Sequence, residues 1–205
     1  MTVAIDAPTM HLKLAGDNTL IDLSVLQGLW SDAQYLRLTG QTNRLLEFTD
    51  GVIEVLPMPT RSHQAISRWL FLALLAFVQG VGGTVFYAPL RVQVRPGKFR
   101  EPDLLVLRDE NDPRSQEAFW LGADLVVEIV SPDDPERDTV EKVADYAEAG
   151  IPEYWIVNPL DETIAVLRLD GAQYLTHGVF GRGAQAHSAL LAGFDVLVDA
   201  VLDAR

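Results

Sequence analysis

Residues 125–132 read LVVEIVSP, an apolar and largely β-branched run with one carboxylate, Glu128, at its middle. Such a run makes a buried strand, and a charge inside it is costly unless something pairs with it or a metal takes it. Upstream, Glu101-Pro102-Asp103 opens a second apolar run over residues 104–107. The residue before a proline is held extended, which suits Asp103 to the first position of a strand. If the two strands are neighbours, Asp103 and Glu128 converge at one edge of a sheet. Two close carboxylates repel, and one takes up a proton unless a cation sits between them. Magnesium is the natural cation, a hard ion that accepts a few carboxylates and keeps several waters, and manganese can substitute for it. The backbone carbonyl of Ile129 would add a ligand. A metal held in this way polarises a phosphoryl oxygen and acidifies a water. The competing reading is equally concrete: Asp103 ends a strand and Glu128 is an ion-paired core carboxylate, which on spacing alone is the commoner arrangement.

Further residues extend the constellation. Lys142 follows Asp138 by four positions, the spacing of a surface ion pair worth ~0.3–0.5 kcal/mol. Alternatively it faces the sheet edge, where its charge could orient an attacking water or stabilise a pentavalent phosphate. Glu47 and Glu54 alternate with apolar residues in two adjacent runs, the pattern of a half-solvated hairpin. His63 opens a long helical pattern, as a solvated or capping residue or as a contact to phosphate or water, and a helix N-terminus lowers its pKa. Ser131 has no G-x-S-x-G around it and no base placed for it. With no cysteine and no paired-histidine spacing, the sequence does not read as a closed zinc site.

These residues need a sheet to hold them. Short helices are predicted over residues 22–30 and 31–39, capped by Asp22 and by Ser31 or Asp32 and closed near Gly28 and Gly40. Residues 44–49 and 52–56 flank Asp50-Gly51, a strong hairpin signal. Ser62 can cap a helix over residues 63–79, apolar around most of its circumference and so buried against a sheet. Strands follow over 84–87 and 90–95, then a Pro96-Gly97 turn, then the two strands that carry the acids. A helix over 138–149 ends at Gly150 with Pro152 beyond it. Strands over 154–157, 162–169, 172–176 and 194–198 complete the order expected of an α/β sheet with helices on its faces.

At 205 residues, one domain is the default. Residues 1–20 read as a partly mobile lead-in and 21–205 as the domain. The opening residues lack a basic start followed by an apolar block, and the longest apolar run is too short to span a bilayer, so a cytoplasmic protein without membrane association is expected. The net charge of −13 argues against a general nucleic-acid binder. It is uneven, though: residues 44–108 carry eight Arg/Lys against five Asp/Glu, and residues 131–153 carry eight acids against two bases. Arg91, Arg95, Lys98 and Arg100 fall within ten residues, a candidate patch for a phosphate backbone.

The pattern Leu46-Glu47-Phe48, Asp50-Gly51, His63, Glu101-Pro102-Asp103, residues 127–132 (VEIVSP), Asp138, Lys142, Tyr146 and residues 150–159 (GIPEYWIVNP) resembles the Uma-two family, a group of restriction-endonuclease-like proteins within the PD-(D/E)xK nuclease superfamily. The resemblance runs from about Leu23 to Asp199. It implies an α/β fold with a restriction-endonuclease-like core, a mixed β-sheet flanked by helices, with an N-terminal β-hairpin. It also implies magnesium at Asp103 and Glu128, Glu47 within the acidic cluster, and Lys142 standing in for the motif lysine. One departure matters: the superfamily places lysine two residues after the acid, and here that residue is Val130. The resulting expectation is a magnesium-dependent endonuclease acting on DNA, and by analogy a homodimer, because two strands must be cut. The alternatives are an inactive nuclease-fold module that binds nucleic acid or a protein, and a metal-dependent hydrolase of a small phosphate ester, which would need a closed pocket.

Overall fold

In the computed structural model, residues 11–13 and 20–205 are described. The lead-in assigned to residues 1–20 lies largely outside them; within them β1 (His11–Lys13) pairs antiparallel with β2 (Leu20–Asp22). The helix expected over 22–30 is corrected to a single 3₁₀ turn, Ser24–Leu26. Val25 and Leu29 are exposed, so a helix here would have no apolar face to bury, and short helices without packing are marginal. The next expectation holds: α1 (Asp32–Thr39) starts at a Ser31/Gln34 capping box.

β3 (Leu46–Thr49) and β4 (Val52–Val55) form the predicted hairpin. Asp50 and Gly51 both have positive φ, 47° and 85°, the two-residue turn whose twist matches paired strands. Gly51 is required, because a Cβ there would lie 2.5 Å from the Gly28 carbonyl oxygen. The helix α2 (Arg61–Gln79) is capped by Thr60, whose hydroxyl accepts the His63 N–H at 3.2 Å, rather than by Ser62. It buries one stripe, Ala65, Ile66, Leu70, Leu74 and Val78, and leaves Leu72 exposed, so it lies on the sheet and is not enclosed by it. β5 (Thr84–Tyr87) and β6 (Val92–Arg95) follow. Past the Pro96-Gly97 turn comes a strand the sequence reading missed, β7 (Lys98–Arg100). It pairs with both β6 and β3, giving a four-stranded sheet in the order β4-β3-β7-β6. Phe99 is its anchor, buried with Tyr35 and Phe48 between this sheet and α1.

β5 is an edge of the main sheet, which continues with β8 (Leu104–Leu107) and β9 (Leu125–Ile129), both wholly buried. A π-helical turn, Arg137–Glu141, leads into α3 (Lys142–Glu148), and β10 (Glu153–Asn158) returns parallel to β9. The helix expected over 138–149 therefore opens with a wider turn. β11 (Thr163–Asp170) and β12 (Gln173–Gly181) extend the sheet, whose order is β12-β11-β10-β9-β8-β5. The mixed sheet flanked by helices is thus the fold the sequence predicts. A small pair, β13 (Gln185–His187) and β14 (Asp195–Leu197), and a last helix, α4 (Val198–Leu202), close the chain. Among the described residues no helix is long and apolar enough to cross a membrane.

The alternation of β9 sorts its side chains between two cores. Leu125, Val127 and Ile129 pack with the α2 stripe, while Val126 and Val130 pack with Tyr146 and Tyr154 on the α3 side. Each such fully buried side chain contributes about 1.5–3 kcal/mol. Glu128 lies between Val126 and Val130 and so points to the α3 side.

Candidate active site

β8 and β9 run antiparallel with Leu104 opposite Val127, which sets Asp103 opposite Glu128. The Asp103 N–H donates to Glu128 Oε2 at 3.4 Å, and the Ile129 N–H donates to Asp103 Oδ2 at 2.8 Å. His63, from the first turn of α2, places Nε2 3.0 Å from the same Asp103 oxygen. On the other side Lys142 Nζ reaches Glu128 Oε1 at 2.9 Å, and the Tyr146 hydroxyl donates to that oxygen too. The βαβ crossover explains the meeting: α3 lies across β9, and Lys142 and Tyr146, one helical turn apart, face the same carboxylate. Burial pushes the Glu128 carboxyl up to about 8, with the Asp138 and Asp103 charges adding to it and Lys142 opposing it.

Lys142 is buried and touches further acids, Asp138 Oδ1 at 3.0 Å and Glu47 Oε1 at 3.7 Å. The pair with Asp138 is therefore not on the surface. Burial alone would lower the Lys142 pKa, but the carboxylates around it raise it instead. Glu47 corrects the sequence expectation most sharply. It is 0% exposed, because β3 is covered by the π-helical turn and α3. Arg137 Nη2 donates to Glu47 Oε2 at 3.0 Å, and Arg100 Nη1 stands 3.6 Å from it. Burial favours the neutral acid, yet Lys142, Arg100 and Arg137 together hold Glu47 below the usual glutamate range. Glu54 is solvated as expected. His63 is also corrected: burial pulls its pKa down, but the Asp103 hydrogen bond and charge, with Asp138 and the Ile129 backbone, leave it raised. The paired carboxylate outweighs the helix N-terminus.

The candidate phosphate patch is corrected as well. Arg91 Nε lies 3.0 Å from the buried Glu101 Oε1, and Arg95 binds Asp50 at 2.8 Å and Glu148 at 3.0 Å. Lys98 pairs with Asp145, and Arg100 pairs with Asp145 at 2.7 Å. These four cations tie the four-stranded sheet to α3 and to neighbouring acids, so they do not form a free basic face. Glu101 itself is pushed up to about 8 by burial, against the pull of Arg91.

The acids lie at the base of a cleft of about 350 Å³. Leu56, Pro57, Met58, Pro59, Pro159 and Leu160 supply apolar lining. Ser131 lines the cleft, and no hydrogen bond joins its side chain to a base among the described residues. Asp103 Oδ1 has no hydrogen bond among the described residues, and Glu128 Oε2 has only the long one from Asp103. Two hard oxygens are thus weakly engaged at the cleft floor beside the Ile129 backbone, a donor set that fits magnesium or manganese in kind. Among the described residues no group of three or more His, Asp or Glu side chains is arranged around a metal position. Two side chains and a carbonyl would leave the remaining positions to water, as magnesium commonly does.

Residues 32–200 match the Uma2 family, described as "Putative restriction endonuclease". The chain belongs to this family. The Uma2 protein is also similar in structure to a crystal structure of a "putative nuclease belonging to DUF820" from Anabaena variabilis ATCC 29413, with a TM-score of 0.66 and 21% identity over 82% of this chain and 97% of that one. At that identity the likeness speaks for the fold. No curated protein matches the sequence. In this Uma2 protein Val130 packs beside Val126 on the α3 side, and the amine near the acid comes from Lys142 on the following helix. Sequence reasoning gave no role to Tyr146, Arg137 or Glu101. Tyr146 had a signal in its spacing of four from Lys142; Glu101 joins the site beside β7, the strand the sequence did not reveal, and Arg137 joins it from the π-helical turn after β9.

Proposed function

We propose that this Uma2 protein is a magnesium-dependent endonuclease that hydrolyses DNA phosphodiester bonds, with manganese able to replace magnesium. The observation that carries the reading is the placement of Asp103 directly opposite Glu128 at the floor of a cleft, with Lys142 Nζ 2.9 Å from Glu128. Asp103, Glu128 and the Ile129 carbonyl would hold the metal, which supplies Lewis-acid polarisation of a phosphoryl oxygen. Lys142 holds positive charge beside the acids and acts on charge developing at the phosphate through space, from its place on Glu128, without binding the phosphate itself. Glu47 keeps Lys142 charged and in position. His63 fixes Asp103 from the other side through a hydrogen bond and can pass a proton to or from solvent at that edge. A two-fold homodimer would allow both strands to be cut.

The test is cleavage of duplex DNA in magnesium by Asp103→Ala and Glu128→Ala, both checked for folding. Loss of cleavage in both is expected; a variant that still cuts at the wild-type rate removes that residue from the mechanism. A second reading, an inactive module binding nucleic acid or a protein, is favoured by Val130 in the motif-lysine position and by Lys142 already neutralising Glu128. Calorimetry separates the two. The nuclease takes up manganese in a way that Glu128→Ala abolishes, and the module takes up none.

A further inference from the structure

Arg137 opens the π-helical turn and lines the cleft with Asp103, Glu128 and Lys142. Its guanidinium spans two carboxylates, with Nη2 3.0 Å from Glu47 Oε2 and Nη1 2.8 Å from Glu54 Oε1. Nη2 also contacts the second Glu54 oxygen, so the Glu54 pairing is two-pronged. The two acids differ in kind. Glu47 is sealed in the protein, whereas the Glu54 side chain is 56% exposed against 14% for Arg137. Arg137 Nε is buried and has no hydrogen-bond partner among the described residues.

The charges around the cleft sharpen this. Glu101, Asp103, Glu128, Asp133, Asp134 and Asp138 line it, against two permanent cations, Lys142 and Arg137. Lys142 is 5% exposed and held among Glu128, Asp138 and Glu47, so it cannot turn to a ligand without orphaning buried acids. The basic residues of β6 and β7 are paired elsewhere. Among the described cleft residues, Arg137 is the cation with a partner that water can take back, the exposed Glu54.

We propose that Arg137 is the phosphate-binding residue of this site, and that Glu54 occupies its guanidinium until a phosphodiester displaces it. The inference rests on the nuclease reading above. A guanidinium fork fits two oxygens of a phosphate as it fits two of a carboxylate. Glu54, which does not itself line the cleft, thus holds the two guanidinium nitrogens that two phosphate oxygens would take, while Glu47 fixes the arginine from the buried side. The position suits the role, since π-helical turns recur at functional sites.

The experiment measures binding of a fluorescein-labelled DNA duplex to the full chain, with calcium in place of magnesium to prevent turnover, over a series of salt concentrations. Wild type, Glu54→Gln, Arg137→Gln and the double variant are compared. Glu54→Gln is expected to bind ~1.5–5-fold tighter, the range spanned by an exposed ion pair. Arg137→Gln should bind more weakly, with the slope of log affinity on log salt smaller by about 1. In the double variant the Glu54 change should add nothing; a gain that persists without Arg137 is mere relief of negative charge and overturns the proposal. Wild-type binding with no effect of Glu54→Gln also overturns it and leaves the nuclease reading standing. Glu54 is exposed, so this arm survives even if Arg137→Gln fails to fold. No DNA binding by any form overturns the nucleic-acid reading, and this inference with it.

Discussion

Lys142 Nζ stands 2.9 Å from Glu128 Oε1 and 3.0 Å from Asp138 Oδ1, with Glu47 Oε1 at 3.7 Å. One buried ammonium therefore joins α3 to the main sheet, to the π-helical turn and to the second sheet. The crossover from β9 through α3 to β10 makes this possible, because it lays the helix carrying Lys142 over the strand carrying Glu128. Removing the ammonium would leave the largely buried Glu128 and Asp138 without the cation they share.

Lys142→Met, close in length and uncharged, is accordingly expected to lower stability by about 3–5 kcal/mol near neutral pH, the cost of breaking a buried pair from one side. The deficit should narrow as the pH falls, because the orphaned carboxylates then take up protons and no longer need a partner. Urea unfolding of wild type and variant at several pH values checks this. A deficit that stays the same from neutral to acid pH would show that Lys142 does not carry this charge balance.

Glu47 gives a pH signature of the opposite origin. Its folded pKa is depressed below the unfolded value of ~4.3, since Lys142, Arg100 and Arg137 outweigh burial. A depressed carboxylate stabilises the fold fully above its unfolded pKa, and that contribution is lost as the pH falls through the folded value. The stability gap between wild type and Glu47→Gln should therefore be level from about pH 5 upward and shrink below ~4.3. Denaturation curves across that range read it directly. A gap that widens in acid would contradict the depressed pKa.

How far the chain could be read beforehand depended on where each signal lived. The Glu128 run, the Asp50-Gly51 turn and the Gly150 stop are local patterns, and each produced the element expected. The pairing of Asp103 with Glu128 was also legible, because adjacent antiparallel strands fix which residues face each other. The burial of Glu47 and its pairing with Arg137 were not, because they depend on how the π-helical turn packs on a sheet with a central strand only three residues long, Lys98–Arg100. A segment that short carries no periodicity, so nothing in the sequence says that Glu47 is covered or that Arg100 points inward. The basic cluster misled for the same reason. A run of cations reads as a surface patch until the partners brought by tertiary structure, Asp145 and Glu148 on α3, are seen.

Glu153 separates stability from chemistry. Its Oε1 accepts Trp155 Nε1–H and the Ser188 hydroxyl, each at 2.6 Å, and its Oε2 accepts the Ala189 and Leu190 N–H groups at 2.7 Å. It ties the start of β10 to the segment before β14 and does not line the cleft. Glu153→Ala should cost at least about 1.5–3 kcal/mol, the worth of one hydrogen bond to a charged group. DNA cleavage per folded molecule should be unchanged. A thermal melt together with an activity assay normalised to folded protein checks both halves, and a drop in specific cleavage would place Glu153 in the site after all.

Arg95 tests the correction to the basic cluster. Its guanidinium is bound two-pronged to Asp50, and its Nε donates to Glu148 at 3.0 Å. Unlike Arg137 it does not line the cleft, so a phosphate held at the acids would not reach it, and any other phosphate would have to displace two carboxylates to gain one contact. Loss of a true phosphate contact lowers the salt slope of binding by about 1 and weakens affinity uniformly across sequences. Arg95→Gln is therefore expected to leave the slope unchanged and to change stability little, because its ion pairs are solvent-exposed. A slope lower by one in this variant would return the strand-borne cluster to the DNA-binding surface, with Asp50 and Glu148 as displaceable stand-ins for phosphate.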